Sequence, residues 1–413
     1  MCRIGGRFAR VEPRYRARDL LLGLVSDLPS KNCWTIAEHA GHESPDGLQH
    51  LLRKAAWDHE AVREDLRGYV VEHLGTEDAV LVVDETGDLK KGVHTVGVQR
   101  QYTGTAGRIE NSQVAVYLTY ATRIGHALID RALYLPKSWC TDIDRREAAG
   151  VPEEVEFATK PALAKQLIVA ALEGGAAADW VAGDEVYGAD PGLRKEMEQR
   201  RVGYVLAVAC SHPVTTAAGK QRADAVAACL PKHVWQRLSA GTGSKGQRFY
   251  DWVWITIDAE RGGHRWLLIR RNTSTGELAF YRCYAPGPVP LATLVRVAGR
   301  RWTVEESFQA GKGLAGLDQH QVRRWTSWHR WTVLAMLAHA FLAVLAVTER
   351  AKRPTPDGLI PLTCNEIHHL FNVLITQPIS NLWHRMRWST WRRQHQHRAK
   401  TAHYQRRAAM AAP

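Results

Sequence analysis

The sequence predicts an α/β fold: a mixed sheet core, preceded by a helical segment and interrupted by a β-rich insertion. Three observations carry this. Residues 79–83 form a continuous apolar run, as in a central strand covered on both faces. Val114, Val116, Leu118 and Tyr120 alternate with period two, as do Val96 and Val98 before them. Beyond residue 160 the pattern becomes helix, strand, helix and strand in succession, the order that produces parallel pairing.

Residues 1–76 read as a helical, DNA-binding domain. Leu20, Leu21, Leu24 and Leu28 fall at helical spacing before Pro29, residues 34–40 suit a short helix ending at Gly41, and Ser44-Pro45 has the chemistry that opens a helix through Leu48, Leu51, Leu52 and Ala55. Two short helices about a glycine turn fit a helix-turn-helix, and they fit equally a packed pair with no nucleic-acid role.

Residues 77–210 read as the first part of the core. The apolar run ends in Asp84-Glu85-Thr86-Gly87, and the two alternating stretches are joined through the glycine turn at 104–107, giving three antiparallel strands. A helix at 160–172, a short strand at 180–183 ending at Asp184, a helix at 191–199 and a strand at 203–209 follow. That is the order of an RNase-H-like core. Residues 211–290 read as a β insertion, with strands at 249–257, 266–269 and 278–284 and a proline-rich end at 285–290. Residues 291–350 return to the core with a long helix over 291–313 and an apolar helix over 332–347, and residues 351–413 supply a last helix opened by Thr363 and Glu366 and a basic tail.

A formal net charge of +13 attracts a large anionic partner, with nucleic acid the first candidate. The seven cysteines are scattered without a C-x-x-C pair, which argues against a disulfide framework or zinc cluster. The arginine-rich start lacks the apolar run of a signal peptide, and the apolar stretch at 332–347 is shorter than the roughly 20 residues a bilayer requires. A cytoplasmic protein with no membrane partner is expected.

Cleavage of a phosphodiester places negative charge on the attacking and leaving oxygens, which two hard cations held by carboxylates stabilise. The sequence requirement is a few acids, far apart, brought to one sheet edge. Asp84 and Asp184 each follow an apolar strand; each also suits a turn or helix cap. Arg301, Glu305, Phe308 and Lys312 share one helix face, with Glu306 rotated by about 100°, and a solvated Arg301-Glu305 pair accounts for that spacing equally.

The segments VVDETG, KKGVHTVGVQRQYTGTAGRIENSQVAVYL, WVAGDEVYG and RWTVEESFQAGKGLAGLDQHQVRRW resemble DDE transposases of bacterial insertion elements, in the IS-four-like branch and of the seven-hundred-and-one type, over residues 8–347. That branch carries its last acid in a signature of Tyr, two residues, Arg, three residues, Glu, six residues and Lys. Arg301, Glu305 and Lys312 satisfy it; Ala298 stands at the tyrosine position. The resemblance implies Asp84, Asp184 and Glu305 as catalytic ligands of two Mg²⁺ or Mn²⁺ ions, and Arg301, Lys312, Lys90 and Lys91 as DNA contacts. It also implies an aromatic residue of the insertion stacked on a flipped base, for which Trp252, Trp254 and Trp266 are candidates and Trp254 is taken. Trp388, Trp391 and Tyr404 interleave with eight basic residues over 385–407, a composition suited to DNA contact or to a solvated tail.

The function implied is a transposase that binds the terminal inverted repeats of its element as a homodimer in a synaptic complex, cleaves double-stranded DNA and joins it to a target. Two alternatives are an RNase-H-like nuclease or resolvase without strand transfer, and a retired transposase that only binds DNA. The presence of all three acids argues against the last.

Overall fold

The structure is a computed structural model; it describes residues 1–243, 246–260, 262–353, 355–357, 359–376 and 382–411, the side chains of 403, 404 and 407–411 excepted. Four helices come first: α1 (Val11–Leu24), α2 (Cys33–His39), α3 (Asp46–Arg53) and α4 (His59–Leu74). The Asn32 side chain accepts from the Trp34 and Thr35 amides to open α2, and Asp58 does the same for α4. Gly41, at φ 80°, turns the chain between α2 and α3. Helix α1 begins five residues earlier than the leucine spacing implies, with Pro13 tolerated in its first turn. Leu20, Leu24, Ile36, Leu48 and Leu51 are fully buried in the same apolar cluster as Leu81, Val83 and Val116 of the sheet. These helices therefore pack onto the sheet's own core.

Strands β1 (Val80–Leu89), β2 (Gln99–Thr103), β3 (Arg108–Ala121) and β4 (His126–Leu133) follow, then α5 (Lys137–Cys140), α6 (Ile143–Ala149), α7 (Lys160–Glu173), β5 (Trp180–Gly183), α8 (Glu185–Gly188), α9 (Pro191–Gln199) and β6 (Gly203–Val208). Strand β3 pairs antiparallel with both β1 and β4, whereas β5 pairs parallel with β1 and with β6. The order β4-β3-β1-β5-β6 is consistent with the RNase-H-like core of a DDE nuclease. Two expectations shift. Val96 and Val98 are buried but precede β2, because Gly97 at φ 74° turns the chain between them. Strand β3 also pairs antiparallel with β2, and β4 is a further strand beyond the three that the alternation predicts.

A small hairpin of β7 (Pro213–Thr216) and β8 (Gly219–Arg222) and helix α10 (Ala223–Ala228) lead to β9 (Gln236–Gly243), β10 (Gly246–Thr256), β11 (His264–Arg271) and β12 (Leu278–Ala285). The segment is β-rich as read. Its meander is not a separate layer, however: β12 pairs with β6, so β12-β11-β10-β9 continues the core sheet to ten strands.

Helices α11 (Leu291–Arg300) and α12 (Trp302–Ala315) replace the single long helix expected. Arg301 keeps helical dihedrals, but its amide reaches back only three residues to Ala298, and the Thr303 hydroxyl donates to the Arg300 carbonyl, so the axis kinks there. Helix α13 (Trp325–Lys352) outruns its apolar stretch; it is long and apolar enough to cross a membrane, with 72% of the window buried inside the protein. Helices α14 (Cys364–Leu374) and α15 (Leu382–Ala411) end the chain. Trp388 is fully buried and its indole N–H donates to the His42 carbonyl, while Trp391 packs edge-on against Trp34 of α2. These two rings belong to the packing of α15 on the first helices, and are not free to stack on bases. The Tyr404 and Arg407 side chains lie outside the described residues.

Candidate active site

Strands β1 and β5 run parallel and in register as far as Val83 beside Gly183, so the next residues, Asp84 and Asp184, occupy neighbouring positions at the sheet edge. A Cβ on Gly183 would sit 3.1–3.3 Å from Val83, Leu206 and Tyr187, tighter than an ordinary contact, which explains glycine at this point. The two chains then part. Asp184 becomes the N-cap of α8, its Oδ1 accepting from the Val186 amide at 2.9 Å. Strand β1 instead continues five residues beyond Asp84, which pairs with Tyr117 of β3. The Asp84-Glu85-Thr86-Gly87 segment is therefore strand and not the turn its composition allows. Gly87 permits this, since a Cβ there would fall 2.1 Å from the Thr103 hydroxyl.

Burial, then the charges of Asp184 and Glu85, push the Asp84 carboxyl up to about 7; the Glu85 amide at 2.7 Å and Arg301 oppose this without reversing it. Asp184 is raised in the same direction by burial and by Glu85. Glu85 itself is held by the Lys160 ammonium of α7 at 2.7 Å and the Tyr187 hydroxyl of α8 at 2.5 Å. Three carboxylates thus crowd one sheet edge.

Glu305, in the first turn of α12, is joined to this edge through Arg301. The guanidinium lies 3.8 Å from Asp84 and 2.9 Å from Glu305, bridging the two. Glu306 points elsewhere: its Oε2 is 3.2 Å from His126 Nε2 on β4.

Among the described residues no group of three or more His, Cys, Asp or Glu side chains could hold a metal ion as they stand. Asp84 and Asp184 nevertheless fit one. They are hard oxygen donors raised first by burial and then by neighbouring carboxylate charge, and a divalent cation offsets both. Glu305 fits only after it releases Arg301.

Other expected site residues fall elsewhere. Lys312 donates to the Thr86 hydroxyl at 2.8 Å and lies 3.4 Å from Asp88, so it has partners within the fold. Lys90 turns inward to the His320 carbonyl at 3.2 Å, and Lys91 is exposed. A cleft of about 660 Å³ opens beside Asp184, lined by Arg248, Trp252, Arg270, Ala298, Arg301 and Trp302 among others. Trp254 is not among its lining residues; it stacks on Trp266 at 5.1 Å, and Trp266 on His264.

The sequence reading missed Glu85 and its two partners, although Glu85 adjoins Asp84 and Tyr187 stands in the WVAGDEVYG segment. It also missed Trp302, 48% exposed beside Arg301, and the cleft arginines Arg248 and Arg270, which carry no signal in the sequence.

A carboxylate pair at the edge of a mixed sheet, beside a cleft lined by arginines, is consistent with a DDE nuclease fold. A family model described as DDE superfamily endonuclease matches residues 6–227, and the chain belongs to that family. The match includes Asp84 and Asp184 and ends before Glu305. Over 198 residues the chain is 30% identical to the "Probable transposase for insertion sequence element IS701" of Microchaete diplosiphon, 47% of this chain and 49% of that protein. The chain thus spans about half the length of the curated relative it matches. The relationship is to DDE-type insertion-sequence transposases, and DDE nucleases generally use divalent metal ions.

Proposed function

We propose that the protein is a DNA transposase that binds the terminal inverted repeats of its own insertion element and catalyses DNA cleavage and strand transfer. The observation that carries this reading is the Asp84–Asp184 pair, side by side at the ends of two parallel strands and largely buried, with Arg301 tying Asp84 to Glu305. In this reading Asp84, Asp184 and Glu305 hold two Mg²⁺ or Mn²⁺ ions, which supply charge stabilisation at the attacking and leaving oxygens.

The residues' own contributions follow from their partners. Glu85, fixed by Lys160 and Tyr187, keeps β1 and α8 in place around the two aspartates. Arg301 neutralises Asp84 and Glu305 while no substrate is present; a DNA phosphate offers its guanidinium an equally good bidentate partner, and accepting it frees Glu305. Lys91 is a direct DNA contact, whereas Lys312 and Lys90 act by holding the far end of β1. Trp302, exposed at the cleft, replaces Trp254 as the stacking candidate, since Trp252 is fully buried with its indole N–H on the Leu238 carbonyl. The first four helices and α15 form a further DNA-binding region, and the working form is a homodimer acting in the bacterial cytoplasm.

The test uses a plasmid carrying the short inverted repeats that flank the gene. Asp84→Asn and Asp184→Asn should each lower Mg²⁺-dependent cleavage at least about 100-fold, the upper range for disturbing even an outer partner of a metal, and leave end binding in place. Wild-type cleavage by Asp184→Asn would overturn the assignment.

A further inference from the structure

A second concavity lies away from the acids. A pocket of about 530 Å³ is formed where α2 and α3 meet α6 and the loop between α12 and α13. Its lining includes Arg53 of α3, Arg323 and Arg324 of the loop, and His94; Trp139 and Trp331, both fully buried, contribute apolar surface. No acidic residue lines it.

The three arginines are exposed, and none has an ion pair or side-chain hydrogen bond among the described residues. Single exposed arginines such as Arg100 and Arg201 also lack such partners among the described residues; three lining one pocket is what sets these apart, and other surface arginines are paired. Arg108 pairs with Glu110, Arg222 with Asp224 and Arg237 with Asp251. A fourth lining arginine, Arg145, shows what a structural role looks like here: it donates to the Val93 and Val98 carbonyls and lies 3.9 Å over the Trp139 ring. Arg53, Arg323 and Arg324 make no such contacts, so all three guanidiniums are open to an anion from outside.

The pocket is tied to the catalytic strand. The Arg323 carbonyl accepts from the Val96 amide at 3.0 Å, and two residues along β1 and its extension hold the same loop: Asp88 lies 3.3 Å from His320 Nε2, and Lys90 donates to the His320 carbonyl.

We propose that this pocket grips the DNA backbone, with Arg53, Arg323 and Arg324 on phosphodiester oxygens at a distance from the bond that is cut. Guanidinium forks match phosphate oxygens in pairs, and three of them from two chain segments fix a backbone in position without reading its sequence. The inference rests on the reading of DNA as substrate.

The experiment measures affinity for a mixed-sequence duplex against salt by fluorescence anisotropy, on the full chain. Arg53→Gln/Arg323→Gln/Arg324→Gln should flatten the slope of log affinity against log salt by up to about 2.7, at about 0.9 per contact. The lysine triple at the same positions should keep most of the slope, because the charge remains. The acid-paired triple Arg108→Gln/Arg222→Gln/Arg237→Gln should change it far less. A pocket variant with the wild-type slope and the wild-type circular dichroism spectrum overturns the pocket and leaves the DNA reading standing. Absence of duplex binding by the wild-type chain overturns both. Should the glutamine triple fail to fold, Arg323→Glu alone carries the test, and an unchanged slope there is equally fatal.

Discussion

Two aspartates on one strand meet opposite fates. Asp84 and Asp88 are four residues apart on β1, both largely removed from solvent, yet Asp84 is pushed up to about 7 while Asp88 is held below the usual carboxylate range. Burial pushes both upward. At Asp88 the His320 hydrogen bond and the charges of Lys312 and Lys90 outweigh it. His320 is itself lowered, first by burial and then by Lys90, against the opposing pull of Asp88. At Asp84 the neighbours are Asp184 and Glu85, with one shared guanidinium at 3.8 Å. The lesson is that local partners, and not depth, separate an acid that holds the fold from one that awaits a ligand. Lys312 belongs to the first group.

The largest expected effect removes the frustrated charge. Asp84 is more basic in the folded chain than its ordinary 3.8, so its protonated form is the stable one: the folded state is favoured below that value and loses this advantage as pH rises towards about 7. The contribution of Asp84 to stability should therefore fall by up to about 1.4 kcal/mol per pH unit across that window, read as the difference between wild type and Asp84→Asn at each pH. Asp84→Asn should lack this slope and melt higher than wild type at pH 8, even as it loses cleavage. Equal melting of the two proteins at pH 8 would mean that Asp84 is not strained.

The opposite result is expected four residues on. Asp88→Ala leaves Lys312 and His320 without their acid in a nearly closed site, and should cost about 3 kcal/mol in denaturant unfolding, the low end for breaking a buried pair. A loss under 1 kcal/mol would erase the contrast between the two ends of the strand.

A cation sharpens the same contrast from outside. At 100 times its dissociation constant, Mg²⁺ should stabilise the wild-type chain by about 2.7 kcal/mol at pH 8, read as a shift in melting temperature. Asp84→Asn and Asp184→Asn should lose most of that shift. Asp88→Ala should keep it, on its lower baseline.

How much of this was legible in the sequence follows from what each residue packs against. The runs before Asp84 and Asp184 were readable because strands covered on both faces must be apolar throughout. The continuation of β1 was not, since Thr86-Gly87 has turn chemistry that pairing with β3 overrides. Strand β4 was hidden by its own charges: Asp130 is buried against Arg63 of α4 at 2.7 Å, and Arg131 against Glu60 at 3.0 Å, so a buried strand looks polar. The tail also holds long-range pairs that its composition does not announce: Arg387 and Arg392 pair with Glu43 and Glu38 at 2.6 Å and dock α15 on the first helices. Long-range ion pairs leave no local pattern, whereas apolar period does.

The smallest effect decides between adjacent glutamates. Glu305 meets Arg301 and through it Asp84, whereas Glu306 meets His126 on β4, whose Nδ1 lies 2.8 Å from the Ser307 hydroxyl. The His126 hydrogen bond holds Glu306 below the ordinary carboxylate range, so its contribution exists at neutral pH and disappears as pH falls through that depressed value. The carboxylate is half exposed, which limits the contribution to about 1 kcal/mol or less. Glu306→Gln should accordingly lower stability by no more than that, and retain most cleavage. Glu305→Gln should remove cleavage with a similarly small change in melting, because its own carboxylate is also well solvated and Arg301 keeps Asp84. If cleavage fell with Glu306→Gln and survived Glu305→Gln, the third ligand would be Glu306, and Arg301 would keep only its contact with Asp84 at 3.8 Å, no longer bridging two metal ligands.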